Sequence, residues 1–326
     1  MKSHLRALMC AVAVVALTPV SWAQSLSSAK PEEVGLSSQR LAKIADAFNQ
    51  EIKDQKIPGA VIMIARKGKV AYHEAFGAQD KNAEKAMAKD SIFRIYSMTK
   101  ALASVGAMIL VEDGKMQLTD PVAKFLPEFK NVTVSVPKSD GLGQPTYGLV
   151  PADRQPTIQD LLRHTAGLAY GEITGNARVK AAYTNAGLFT PGADYFSIEL
   201  TPDEFAKKIA EAPLAYQPGT TWEYSLAVDV LGRAIEKASG KRLSEFLDER
   251  LFKPLKMNDT AFSLTADKMA RLSQPFAIDP ASGAPNVSKP PKNDSGGAGS
   301  VSTANDYLRF GQMLLNGGEL STASAS

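Results

Sequence analysis

The sequence predicts an α/β protein of the α+β type: a sheet begun by an amino-terminal helix and hairpin, with a helical region inserted after it. Three observations predict it. Leu41, Ile44, Phe48 and Ile52 recur at helical spacing behind Ser37, a good N-cap. The apolar run 60–65 and the looser alternation 70–76 flank Lys67-Gly68, as in a hairpin with glycine at the left-handed turn position. From Ser97 onward the pattern is mostly helical and strands do not alternate with helices, which disfavours a doubly wound parallel sheet.

Taken in order, residues 24–36 are polar and proline-bearing, a flexible lead-in, and Ile57-Pro58-Gly59 ends the first helix. A long helix is expected from Ser97 to Asp113, with Ala101, Leu102, Val105, Ile109 and Glu112 on successive turns and Gly114 at its C′ position. Thr157-Ile158-Gln159-Asp160 reads as a capping box opening a short helix that ends near Gly167. Thr201-Pro202-Asp203-Glu204 supplies a cap, a first-turn proline and two acids. Ala227, Val230, Leu231, Ala234, Ile235 and Ala238 form an apolar stripe closed by Gly240. Stretches 131–156 and 275–299, rich in Pro, Gly, Ser and Asn, are expected as long irregular loops walling a site. No internal repeat is visible.

The first residues set the compartment. Lys2 and Arg6 make a positive start, residues 8–20 are apolar but too short to span a bilayer, and Ser21-Trp22-Ala23 offers a cleavage site. Residues 1–23 are therefore expected as a signal peptide and the protein as exported, periplasmic or secreted, with no stable membrane anchor once the signal is cleaved. Cys10, the one cysteine, would leave with it, so the mature chain would hold no disulfide and no thiol nucleophile. Net charge would fall from +3 to about +1, because Lys2 and Arg6 go and no acid does; nothing there calls for nucleic acid as a partner.

Elimination narrows the chemistry. Of three histidines, His4 lies in the signal, His73 in the second hairpin strand and His164 near the end of a short helix, where a cation complements the dipole. Two separated histidines cannot form a zinc-hydrolase cluster, and no His-Glu-x-x-His, Gly-x-Ser-x-Gly or phosphate-binding glycine loop occurs. No metal or cofactor is implied. A nucleophilic enzyme built from this chain must use lysine or tyrosine where histidine usually serves.

Ser-x-x-Lys meets that need, since residues i and i+3 share a helix face and the helix N-terminus offers free N–H groups to an oxyanion. It occurs three times: Ser27 to Lys30 in the lead-in, Ser135 to Lys138 across Val136-Pro137, and Ser97 to Lys100 at the start of a long apolar helix. Only the last is placed for catalysis, although a capping serine with a surface lysine would look the same. Tyr224, by itself, reads as an aromatic anchor before a helix that Ser225 caps.

The segment Phe93-Arg94-Ile95-Tyr96-Ser97-Met98-Thr99-Lys100 resembles the nucleophile segment of class C β-lactamases and their esterase relatives, the family VIII carboxylesterases. Residues 157–168, 218–225 and 296–303 resemble further family segments in the same order, so the likeness runs from about residue 30 to 320. It implies the β-lactamase/transpeptidase-like fold, an antiparallel sheet flanked by helices plus a helical region. It also implies Ser97 as the acylated nucleophile, Lys100 as its activating partner, and Tyr224 as a proton shuttle, its phenol favoured as phenolate by two nearby lysine-type cations.

Two departures matter. Position 226 is Leu where β-lactamases carry an Asn that holds the substrate amide, so Tyr224-Ser225-Leu226 looks more like the esterase branch. The family's third motif, a Lys-Thr-Gly, His-x-Gly or Trp-x-Gly, is not found after Lys292. Residues 24–326 are thus expected to be one serine hydrolase domain, truncated at the carboxyl end with its last strands missing. The reading that follows is a carboxylesterase for small or medium-chain esters, acting through an acyl-enzyme on Ser97. A class C-type β-lactamase or D-Ala-D-Ala peptidase, and a non-catalytic penicillin-binding-like module, are the alternatives. The partner is accordingly a small-molecule ester or β-lactam.

Overall fold

The computed structural model describes residues 26–139, 145–189, 200–276 and 286–319. The predicted signal peptide lies outside the described residues. Helix α1, Ser38–Lys53, starts where Ser37 Oγ accepts the Arg40 N–H at 3.3 Å. Strands β1, Gly59–Arg66, and β2, Lys69–Asp80, pair antiparallel from Gly59↔Gly77 to Arg66↔Lys69, with an irregularity at Ile64/Ala65. Both turn residues are left-handed, Lys67 at φ 54° and Gly68 at φ 71°, the backbone of a two-residue hairpin whose twist matches its strands. Phe48 stacks on Phe76 at 6.0 Å and so lays α1 on this sheet.

From residue 26 onward the expected flexible lead-in is instead ordered. Ala29 donates to Val70 O and accommodates a bridge between Ser28 and Val70, a short 3-10 helix spans Pro31–Val34, and Val34 is buried. Its polar composition concealed one apolar anchor and the backbone hydrogen bonds offered by β2.

Strand β3, Lys85–Ala86, completes a three-stranded sheet in the order β1-β2-β3. Strand β4, Phe93–Arg94, does not join it, and pairs antiparallel with β7, Val301–Ser302. This small ladder sets residues 296–300 beside the segment that carries Ser97.

Helix α2 covers Thr99–Glu112, and Ser97 lies before it in a 3-10 turn, Tyr96–Met98. The buried face of α2 is Leu102, Ala103, Gly106, Ala107 and Leu110; Ala101 is exposed, and Val105 and Ile109 are only half-buried. The expected stripe was therefore rotated, because α2 is apolar nearly all round and its neighbours choose the face. At Gly106 a Cβ would come within 2.6 Å of Leu247 Cδ2, so glycine permits this close packing.

Stretch 131–156, expected as irregular, contains a hairpin: β5, Thr133–Ser139, paired with β6, Pro145–Pro151. Helix α3, Ile158–Leu162, opens on the predicted Thr157/Asp160 capping box. Helix α4, Ala177–Ala186, and α5, Pro202–Glu211, follow, the latter with a full Thr201/Glu204 capping box. Helix α6, Ala227–Ser239, ends at left-handed Gly240, but its N-cap is Leu226 with no side-chain cap; Ser225 is engaged elsewhere. Helix α7, Leu243–Leu247, runs into a π turn; α8, Ala266–Met269, and α9, Ala304–Leu315, complete the described helices.

The main core joins α2, α6 and α7 through Leu102, Leu110, Leu231, Ile235, Leu243 and Leu247, all fully buried. A smaller cluster of Ile92, Leu264, Leu272, Val287 and Val301 sits under the β4–β7 ladder. Every strand pairing within the described sheets is antiparallel, in line with the α+β expectation. Among the described residues no helix is long and apolar enough to cross a membrane.

Candidate active site

The chain reaches Ser97 through Tyr96, whose φ of 44° is unusual for a residue with a side chain and costs about 1–3 kcal/mol. That turn leaves Ser97 exposed at the entrance of α2. The entrance is fixed from both sides. Ile95 N–H donates to Ser300 O at 3.1 Å, buried Thr99 Oγ1 meets Ser300 Oγ at 2.7 Å, and Tyr307 OH donates to Met98 O at 3.0 Å.

Lys100, one turn along, places Nζ 3.2 Å from Ser97 Oγ. The same nitrogen donates to Gly297 O at 2.9 Å and to Tyr170 OH at 3.3 Å. Tyr224 OH donates to Ser97 Oγ at 2.6 Å. The structure thus brings Ser97, Lys100 and Tyr224 together from positions 97, 100 and 224. Lys100 also lies 4.5 Å over the Tyr224 ring. Of the two cations that the resemblance implied near this phenol, Lys100 is in place. Neither other Ser-x-x-Lys resembles this: Ser135 is buried on β5 with its hydroxyl on Asn176, and Ser27 lies beside β2.

Tyr224 is carried to Ser97 by a run of main-chain bonds between 215–226 and 164–169. Ala215, Gly219, Glu223 and Leu226 donate to Gly167, Thr165, His164 and Ala169 respectively. Gly219 sits at φ 87°, a left-handed backbone that strains any residue with a side chain, and a Cβ there would also push on the Arg154 guanidinium 2.2 Å away. Arg154 in turn grips Asp160 through two bonds of 2.6 and 2.9 Å. Burial alone would raise the Asp160 carboxyl, but Arg154, Thr157 and Thr165 outweigh it and hold it down at about 2.

His164 is not the solvated helix-end cation that its position implied. The Ser225 N–H donates to its Nδ1 at 3.2 Å, so Nδ1 is unprotonated, and Ser225 Oγ lies 3.1 Å from the same nitrogen. Burial, with the nearby Lys100 charge, pushes the imidazole down to about 4. Its neutral ring packs 4.9 Å from Tyr224, which is flanked by Tyr170 at 5.4 Å. Burial, helped by the Asp229 charge, pushes the Tyr170 phenol far above the usual range, so it stays protonated.

The sequence marks His164 as a helix-end histidine and as part of the 157–168 segment, without a role at the site, and it does not single out Tyr170, Asp229 or Gly297. Gly297 was within reach, as part of the quoted 296–303 segment; Tyr170 and Asp229 carried no motif signal. Leu226, at the position where β-lactamases carry an amide-holding Asn, is buried at 1% exposure. His73 is an ordinary strand residue, half-buried, with Nε2 3.3 Å from Lys89 O. Among the described residues, no three His, Cys, Asp or Glu side chains gather as a metal-binding group.

A family model described as Beta-lactamase matches residues 44–326. Esterase EstB of Burkholderia gladioli is 33% identical over 304 residues, which cover 87% of this chain and 72% of EstB. An uncharacterized protein of Mycobacterium tuberculosis is 36% identical over 269 residues, 80% of this chain. The matched region spans 63% of that relative's own length. The solved structure of EstCE1, described as a hydrolase with promiscuous acyltransferase activity, superposes with a TM-score of 0.67 at 28% identity, covering 86% of this chain and 74% of EstCE1.

Proposed function

This chain belongs to the Beta-lactamase family and has the β-lactamase/transpeptidase-like fold, and from that premise we propose that it is a serine carboxylesterase acting through an acyl-enzyme on Ser97. One observation carries the proposal: Ser97 Oγ sits between Lys100 Nζ at 3.2 Å and Tyr224 OH at 2.6 Å. An exposed serine flanked by two proton acceptors-in-waiting has no packing purpose, and it matches the requirement of nucleophile and base within hydrogen-bond reach.

The chemistry runs in two halves. Once it has given up its own proton, Lys100 draws the Ser97 proton, directly or through the Tyr224 hydroxyl, while Oγ bonds to the ester carbonyl carbon. The tetrahedral oxyanion forms at the entrance of α2, where helix N–H groups and dipole favour negative charge. The bond to the alkoxy oxygen breaks, and that oxygen leaves as an alcohol with the proton returned through Tyr224. Water then repeats the attack, gives its proton to the same pair, and releases the carboxylic acid and free Ser97.

Esters are favoured over lactams by buried Leu226, which offers no amide to hold a β-lactam side chain. Binding without turnover would need neither the lysine nor the tyrosine at Ser97. The amino-terminal signal pattern supports export of residues 24–326 as one hydrolase domain. The test is steady-state turnover of p-nitrophenyl butyrate and of a chromogenic cephalosporin by the purified chain. Ester turnover without lactam turnover is expected. The reverse result, or lactam binding with no turnover of either, overturns the proposal in favour of the β-lactamase or binding-module reading.

A further inference from the structure

Asp229 stands in the first turn of α6 and is 3% exposed. A buried carboxylate is costly unless its oxygens find hydrogen bonds, so its presence demands a reason. Oδ1 is satisfied, accepting from Ser295 Oγ at 2.5 Å and from Gly297 N–H at 3.1 Å. Oδ2 is buried and has no hydrogen-bond partner among the described residues. It lies against Gly297, where an added Cβ would come within 2.3 Å of it. Gly297 gives its carbonyl to Lys100 Nζ at 2.9 Å, a shorter contact than the 3.2 Å from that nitrogen to Ser97. A continuous relay therefore runs from Asp229 through Gly297 and Lys100 to the nucleophile.

Resting on the reading of Lys100 as the group that activates Ser97, we propose that Asp229 is a positioning residue for Lys100. It clamps the turn at 295–297 so that the Gly297 carbonyl holds the lysine nitrogen on Ser97, and it supplies the buried negative charge behind that peptide. If Asp229 served only to pack α6, an apolar side chain would fill the space without an unsatisfied oxygen. Its charge is felt in the site: after burial, Asp229 is the largest influence on Tyr170, ahead of Tyr224 and Glu172. The groups facing Lys100 are Ser97, Tyr170, the Tyr224 ring and Gly297 O, while His164 feels the lysine's charge.

Asp229→Ala removes clamp and charge together, whereas Asp229→Asn keeps an oxygen for Ser295 and Gly297 and removes the charge, with an amide nitrogen in place of Oδ2. With p-nitrophenyl butyrate, Asp229→Ala is expected to lose about 10² in kcat with KM little changed, the scale of a misplaced catalytic group. Asp229→Asn is expected to recover most of that loss, with the alkaline-going rise of kcat/KM moved to lower pH. The sign follows because removing a negative charge disfavours ammonium and favours phenolate. Wild-type pH profiles in both variants, or equal losses accompanied only by lower melting temperatures, would overturn the inference. Should Asp229→Ala fail to fold, the profile of Asp229→Asn decides it alone. Fluorophosphonate labelling of Ser97 separates the two levels. Labelling that needs Lys100 but ignores Asp229 sinks only this inference, and labelling that survives Lys100→Ala sinks the reading beneath it.

Discussion

Replacing Tyr224 by Phe isolates a single atom of the proposed machinery. The ring that remains keeps its neighbours: His164 at 4.9 Å, Tyr170 at 5.4 Å and the Lys100 ammonium 4.5 Å above it. What is lost is the hydroxyl 2.6 Å from Ser97 Oγ. As a structural change this deletes one exposed hydrogen bond, worth at most about 0.5–1.5 kcal/mol of stability. As a catalytic change it deletes a proton shuttle, and general acid–base groups contribute roughly 10²–10⁴ in rate. At 1.36 kcal/mol per decade, that is about 2.7–5.4 kcal/mol of transition-state stabilisation. The loss should fall on kcat and kcat/KM alike, with KM little altered, because the hydroxyl serves the moving proton and not the bound ester. Initial rates on p-nitrophenyl butyrate across pH, paired with a urea unfolding curve, measure both quantities. A variant that keeps its rate while losing about 1 kcal/mol of stability would make Tyr224 a packing residue and refute the assignment.

Other outcomes follow from the same geometry. Ser97→Ala should abolish fluorophosphonate labelling and ester turnover and leave the melting temperature almost unchanged, since the side chain is exposed; labelling at another serine would show the nucleophile lies elsewhere. Leu102→Ala, at a fully buried site in the main core, should cost about 2–5 kcal/mol in denaturant unfolding, and a loss below 1 kcal/mol would contradict the packing described. His164, held down at about 4 in the folded protein against 6.5 in an unfolded chain, is neutral when folded, so its contribution is fully present above about pH 6.5. As pH falls from there toward 4 the unfolded state takes up the proton first and stability declines; His164→Gln should flatten that decline, and an unchanged slope would show that the imidazole is not the group responsible.

Several elements were legible because a local rule decided them. Ser37 caps α1, Thr201 and Glu204 cap α5, and Lys67-Gly68 turns the hairpin, each through neighbours within a few residues. The Ser97–Lys100 pair was legible for the same reason, one helical turn being a local fact. The misread elements depended on distant partners. In α2 almost every side chain from 101 to 111 is apolar, so periodicity could not choose a face; α6 and α7 chose it, with Gly106 admitting Leu247. The β5–β6 hairpin hid behind Pro137 and a glycine-rich surround. Yet Ser135 N–H donates to Leu214 O and Leu214 N–H to Thr133 O, so β5 is held by a segment some 80 residues away. Asp229 reads in the sequence as one polar residue in an apolar stripe, and only the approach of Gly297 gives it meaning.

On the proposed function, the site also gives a reason why lysine and tyrosine serve as base although a histidine packs against Tyr224. His164 touches the Tyr224 ring, yet its Nδ1 is committed to the Ser225 N–H and hydroxyl, and these bonds fix the backbone that presents Tyr224. Burial and the Lys100 charge push the imidazole down to about 4, which lets it accept those bonds above that pH. Protonating His164 would turn an acceptor into a donor facing another donor, and would set a second cation near Lys100. An imidazole serving as base must alternate between those two states in every cycle. One serving as a bracket must not change state at all. On the proposed function the histidine is the bracket, and the Ser97 proton goes to the two groups within 3.2 Å of its oxygen, Lys100 and Tyr224.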